Sequence, residues 1–123
     1  MAPSLNIIGA GHVGRVLGRL FAESGEFEVG AVLTRSADSA ADAVSFIGAG
    51  TAAHSMAQLG PADAWMLAVP DDEIAAVCAQ LAGAVPLAGA LVFHCSGARS
   101  SLELEAAARA GAVYRLGRLR VRI

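Results

Sequence analysis

The chain has no lysine: all nine of its basic residues are arginine. That excludes a Schiff-base or general-acid lysine from its chemistry. Cysteine is nearly as scarce, with only Cys78 and Cys95, which fall in different predicted elements. They form no C-x-x-C pair and no metal-ligand spacing, so no metal site is expected. Both are expected to be buried thiols in a reducing cytoplasm. Charged residues make up 16% of the chain, against about 25% in an average domain. The formal net charge of −2 gives no reason to expect nucleic acid as a partner. No apolar run is long enough to cross a membrane, and no charged segment followed by an apolar one opens the chain. No membrane association is therefore expected, and the expected location is cytoplasmic.

What remains is rich in alanine and glycine. The 123 residues suit one domain, and 55% are hydrophobic, enough for a sizeable core. The chain is organised around Leu5 to Gly18. Leu5–Ile8 is a short apolar run that reads as a buried strand. Gly9, Gly11 and Gly14 follow at G-x-G-x-x-G spacing. A helical pattern then begins, with Val13, Val16, Leu17, Leu20 and Phe21 assigned to one side.

Each glycine has a physical role in this reading. Gly9 lets the chain leave the strand in a tight turn. Gly11, lacking Cβ, lets a pyrophosphate approach the backbone. Gly14 lets the helix pack tightly on the sheet. The free N–H groups and positive end of the helix then face the phosphates. A tight strand–helix turn in another α/β protein shares this spacing, but the motif's position after a strand and before a helix favours dinucleotide binding. A P-loop-like nucleotide binder is a third reading, disfavoured because Gly14 is followed by Arg15-Val16 and G-K-[ST] is absent.

Further along, a helix is predicted over about His12–Ser24 and ended by Gly25. A second strand covers Phe27–Leu33 and a short helix Ala37–Phe46. Thr51–His54 reads as a short strand and Met56–Pro61 as a turn. Ala64–Val69 is a buried strand ended by Pro70. Asp71-Asp72-Glu73 opens a helix to about Leu81, with Asp71 as cap and the three acids complementing the dipole. Ile74, Val77, Cys78 and Leu81 form its core face. A strand at Ala90–His94, a helix capped by Ser100 or Ser101 and reaching about Arg109, and a strand at Ala112–Tyr114 complete the pattern. This alternation predicts an α/β fold: a Rossmann-type, doubly wound, mainly parallel sheet with helices on both faces.

The residue that reads the adenosine ribose lies about twenty positions past the glycines, at the end of the second strand. Thr34, Arg35 and Ser36 occupy that place, and no acid does. An arginine beside hydroxyls suits a 2′-phosphate, which favours NADP over NAD; a surface arginine in a turn gives the same pattern. Val69 and Pro70 end the next phosphate-side strand and are assigned to the cofactor's ribose. The segment His94-Cys95-Ser96-Gly97 ends another strand on the same edge. Ser96 and Gly97 are assigned to the nicotinamide. His94 and Ser96 are the weak catalytic candidates, His94 as a general acid or as a packed structural histidine. Ala10, His12 and Val13 complete the set of backbone contacts within the glycine motif.

Four segments together, Ile7-Ile8-Gly9-Ala10-Gly11-His12-Val13-Gly14, Thr34-Arg35-Ser36, Ala68-Val69-Pro70-Asp71-Asp72-Glu73-Ile74 and Val92-Phe93-His94-Cys95-Ser96-Gly97-Ala98, carry a family resemblance. The chain resembles the N-terminal domain of NADP-dependent reductases related to the deazaflavin-dependent NADP reductases, the pyrroline-5-carboxylate reductases and the 6-phosphogluconate dehydrogenase superfamily. The resemblance implies hydride transfer between NADPH and a carbonyl or imine of a small-molecule substrate, and a possible homodimer. It covers about Leu5 to Val113. Members of the group continue into a His-Pro segment and a helical second domain, whereas this chain continues Tyr114-Arg115-Leu116-Gly117-Arg118. A non-catalytic dinucleotide-binding module, acting as sensor or partner domain, is the alternative.

The domain is expected to span 1–114. In the remaining stretch, 115–123, Arg118, Arg120 and Arg122 alternate with Leu119, Val121 and Ile123. That pattern suits a half-exposed edge strand or a basic phosphate-contacting tail. The stretch is expected to lie outside the domain, through truncation or frameshift of a two-domain protein.

Overall fold

The computed structural model describes residues 2–9 and 11–94, together with the backbone of 113–115. In chain order the elements are β1 (Ser4–Ile8), α1 (His12–Ser24), β2 (Glu28–Leu33), α2 (Ala37–Ile47), β3 (Thr51–Ala53), β4 (Ala64–Leu67), α3 (Ile74–Ala84), β5 (Leu91–His94) and β6 (Val113–Arg115). Single 3-10 turns occur at Met56–Gln58 and Asp71–Glu73. The predicted helix near Ser100–Arg109 and the stretch 116–123 lie outside the described residues.

The strands form one six-stranded sheet in the order β3-β2-β1-β4-β5-β6, and every neighbouring pair is parallel. The chain builds outward from β1 to β3, then returns to the other side of β1 to lay down β4. The strand order therefore reverses between β1 and β4, and an open sheet of this kind has its crevice there, beyond the carboxyl ends of the strands.

Strand alternation divides the core in two. On one face Leu5, Ile7, Val29, Val32 and Met66 pack with Phe21, Ala43 and Ile47 of α1 and α2. On the other, Ile8, Trp65, Leu67 and Val92 pack with Ile74, Cys78 and Leu81 of α3. Both faces of the central strands are thus covered, which is why β1 and β4 read as continuous apolar runs. Phe21 and Phe27 meet edge to face, with ring centroids 5.0 Å apart, and close the end of the first core.

Helix α1 meets the sheet through only part of the predicted stripe, Phe21 and the partly buried Leu17, together with its glycines. Its buried residues are Gly14, Gly18 and Phe21, while Val13 and Leu20 are each 53% exposed. Small residues let the helix axis approach the sheet closely, so the contact runs along the glycines while Val13 and Leu20 are turned aside. At its far end the helix stops at Gly25, whose φ of 73° carries its N–H back to the Phe21 carbonyl at 3.1 Å.

The ladder between β1 and β2 is irregular. Leu5 pairs with Val29 and Ile7 with Val32, so β2 carries an extra residue. Asn6, buried amid the apolar run, fills the gap. Its Oδ1 accepts from the Ala31 N–H at 2.8 Å, and its Nδ2 donates to the Gly60 carbonyl at 3.1 Å. Gly30 has no side chain to obstruct it, since a Cβ there would lie 2.7 Å from Asn6 Oδ1.

Two predicted details are corrected. Asp71 does not cap the following helix. The chain makes a 3-10 turn over Asp71–Glu73, with Pro70 at its N-cap and no side-chain cap, and α3 begins only at Ile74. The Glu73 N–H donates to the Pro70 carbonyl at 2.8 Å, which holds the tighter turn. The strand predicted over Ala64–Val69 ends at Leu67. Beyond it the Ala68 carbonyl turns toward the glycine motif and accepts from the Gly11 N–H at 3.4 Å.

Among the described residues, no helix is long and apolar enough to cross a membrane.

Candidate functional site

A cleft of about 670 Å³ opens at the carboxyl ends of β1, β2 and β4, at the point where the strand order reverses. Its floor is the glycine motif. Gly9 leaves β1 with a φ of 88°, a conformation side chains rarely adopt, and its N–H donates to the Leu33 carbonyl at 2.7 Å. A Cβ there would also fall 2.4 Å from the Ala68 oxygen. Gly14 is held against the same residue, since a Cβ on it would lie 2.3 Å from the Ala68 Cβ. Gly11 differs. Its backbone has ordinary angles, and a Cβ would make only a van der Waals contact, 3.4 Å from the Ala68 oxygen. The protein itself therefore requires glycine at positions 9 and 14, whereas a Cβ at Gly11 would make only an ordinary contact.

Gly11 is the N-cap of α1, and no side chain caps the helix. The N–H groups of its first turn, on His12, Val13 and Gly14, have no intrahelical acceptor. All three residues line the cleft, as does Gly11. Uncapped donors and the positive end of the helix dipole make this floor suited to an anionic group.

One wall is the end of β2. Thr34 and Arg35 line the cleft. The Thr34 hydroxyl donates to the Ser36 carbonyl at 2.8 Å, fixing the turn. Ser36 is the N-cap of α2 and its hydroxyl accepts from the Ser39 N–H at 3.1 Å. It stands beside the cleft, and Ser39 rather than Ser36 belongs to the lining. The opposite wall is Ala68, Val69 and Pro70, with Asp71, Glu73, Val77 and Gln80 beyond. The Arg35 guanidinium reaches across the mouth and pairs with the Glu73 carboxylate.

The structure thus brings Gly9, Gly11, His12, Val13, Gly14, Thr34, Arg35, Val69 and Pro70 into one cleft. His94 ends β5 beside Leu67, is 1% exposed, and is not part of the lining. Ala10, Ser96 and Gly97 lie outside the described residues. Glu73, Ser39, Met56, Val77 and Gln80 also line the cleft and were not expected there. Val77 and Gln80 lie one helical turn apart on α3, a spacing visible in the sequence once a cleft wall is sought. Among the described residues, no group of three or more His, Cys, Asp or Glu side chains is placed to hold a metal ion.

The Rossmann-like domain matches residues 2–116, nearly the whole chain. The chain belongs to the Rossmann-like domain family. Among solved structures, this Rossmann-like domain is similar to a proposed NADP oxidoreductase from Bacteroides fragilis, at 20% identity and a TM-score of 0.75, over 94% of this chain and 42% of that one. It is similar to shikimate dehydrogenase from Mycobacterium tuberculosis at 21% identity and a TM-score of 0.71, over 95% of this chain and 45% of the other. It is also similar to Synechocystis arogenate dehydrogenase at 18% identity and a TM-score of 0.70, over 87% and 37% of the two chains. At these identities the likeness is one of fold. The Rossmann-like domain spans less than half the length of each of these proteins. A comparison with curated proteins gives no match.

Proposed function

We propose that the domain binds a nicotinamide dinucleotide, NADP in preference to NAD. The observation that carries this reading is the position of Arg35. It stands in the cleft at the carboxyl end of β2 with its side chain 78% exposed, in the place where an NAD-selective site would present an acid. A guanidinium there can form bidentate, charge-assisted bonds to a 2′-phosphate. The rest of the cleft fits such a group. The uncapped start of α1 would receive the pyrophosphate, the bare backbone at Gly11 allows close approach, and Val69 and Pro70 offer an apolar edge to a ribose.

When bound, the cofactor would supply hydride chemistry, and the protein's part is to hold and orient it. Ser96 and Gly97 are proposed to contact the nicotinamide end, following His94 at the tip of β5. Reduction of a carbonyl or imine is the activity proposed for a whole protein in which this domain, over 1–114, is joined to a substrate-binding part. The dehydrogenases and oxidoreductases of similar fold are more than twice as long and support that reading.

The test is a titration of NADPH and NADH against the purified protein and Arg35→Ala. The wild type is expected to prefer NADPH. Loss of one charge-assisted bond costs about 1.5–3 kcal/mol, so the variant should bind NADPH roughly tenfold to a hundredfold more weakly and NADH almost as before. Equal affinities in the wild type, or a ratio unmoved by the substitution, would refute the preference for NADP.

A further inference from the structure

We infer that Glu73 is a second determinant of cofactor choice, opposing the 2′-phosphate by occupying and neutralising Arg35. The inference rests on the dinucleotide reading above. Arg35 follows β2, whereas Glu73 belongs to the 3-10 turn after β4, so their ion pair joins the two walls of the cleft at its mouth. Arg35 is the one arginine among the described residues that line the cleft, and its guanidinium pairs with one of the lining carboxylates, that of Glu73. A 2′-phosphate arriving at Arg35 therefore meets a guanidinium that is already neutralised and a carboxylate close by.

The consequences differ for the two cofactors. A dianionic phosphate must displace the carboxylate from Arg35 and then sit near it, which is unfavourable. A ribose hydroxyl is neutral and can itself donate to a carboxylate, so NADH meets no such opposition. The displacement is feasible, since the Arg35 and Glu73 side chains are 78% and 38% exposed and exposed ion pairs are weak. Glu73 nonetheless stays anchored on this wall of the cleft. Its backbone is held in the turn by the bond from its N–H to the Pro70 carbonyl at 2.8 Å. The pair thus lowers the discrimination that Arg35 alone would give.

The experiment compares NADPH and NADH affinities, with 2′,5′-ADP and 5′-ADP as shorter probes, for the wild type, Glu73→Gln, Glu73→Asp and Arg35→Ala. Glu73→Gln is expected to tighten NADPH and 2′,5′-ADP by about twofold to fivefold, the range an exposed ion pair allows. NADH and 5′-ADP should stay unchanged or weaken. Glu73→Asp keeps the charge and should keep a ratio near that of the wild type. If Glu73→Gln shifts both cofactors equally or neither, while Arg35→Ala still lowers the preference for NADPH, the inference about Glu73 is overturned and the role of Arg35 stands. If Arg35→Ala leaves the ratio unmoved, or neither cofactor binds, the underlying reading fails and the inference falls with it.

Discussion

Gly14 and Ala68 are in contact where α1 crosses the end of β4, so closely that a Cβ on Gly14 would lie 2.3 Å from the Ala68 methyl. Ala68 is also the residue that a side chain on Gly9 would strike, and its carbonyl accepts from the Gly11 N–H. One small residue thus sets the distance between the glycine motif and the sheet. Gly14→Ala should destabilise the fold by about 1–3 kcal/mol through overpacking, although alanine is otherwise the better helix residue. Ala68→Gly removes the obstructing methyl. The double variant should therefore be more stable than the sum of the two single losses allows. Urea unfolding of the four proteins measures this coupling, and strict additivity would mean that the two positions do not share the contact.

Gly11 should behave in the opposite way. Its φ and ψ of −59° and 164° suit any residue, and a Cβ there meets the Ala68 oxygen only at 3.4 Å. Gly11→Val should fold, losing no more than about 1 kcal/mol for a poorer N-cap. The side chain would stand where a pyrophosphate must approach, so NADPH binding should be lost. Circular dichroism and a nicotinamide fluorescence titration report the two quantities separately. A folded variant with unchanged affinity would make the motif a structural turn.

The strand–helix alternation, the two-sided burial of the central strands and the glycine turn were all readable, because each depends on local spacing or composition. The buried face of α1 was readable only in part: Gly14, Leu17 and Phe21 meet the core as expected, and Val13 and Leu20 do not. Hydrophobic periodicity weights Val13 and Leu20, whereas the contact is made by Gly14 and Gly18, whose value lies in the side chain they lack. Arg35 was legible from its distance to the glycines. Glu73 was not, because in an acidic run before a helix its charge reads as a response to the helix dipole. Only the sheet order, which sets β2 and β4 on either side of β1, brings it to Arg35. Asn6 gave no signal for the same reason, since the irregularity it repairs belongs to the pairing of two strands rather than to either one.

Asn6 should accordingly carry more stability than a lone amide in a strand. Asn6→Leu keeps the branched heavy-atom shape but leaves the Ala31 N–H without its acceptor and removes the donor to Gly60. The expected loss is about 1–3 kcal/mol, mostly from Ala31, because Gly60 is exposed and water can replace its partner. Amide exchange should quicken at Ala31 before it does in the centre of β4. Wild-type stability in Asn6→Leu would show that the extra residue of β2 needs no side-chain support.

Ser36 separates helix capping from cofactor choice. Its hydroxyl accepts from the Ser39 N–H at 3.1 Å at the start of α2, directly after Arg35. Ser36→Ala removes the cap and should cost about 1 kcal/mol of stability. Ser36→Asp restores a capping oxygen and adds a negative charge at the helix N-terminus, so stability should return to the wild-type level or above it. That same carboxylate lies next in sequence to Arg35, on the side of the cleft proposed for the 2′-phosphate. NADPH should then bind several-fold more weakly while NADH holds or improves, by the opposition of like charges already argued for Glu73. Thermal unfolding and paired cofactor titrations on the two variants report stability and cofactor choice separately. Recovery of stability in Ser36→Asp with no fall in the preference for NADPH would place the phosphate away from the start of α2, and the assignment of Ser36 to cofactor binding would go with it.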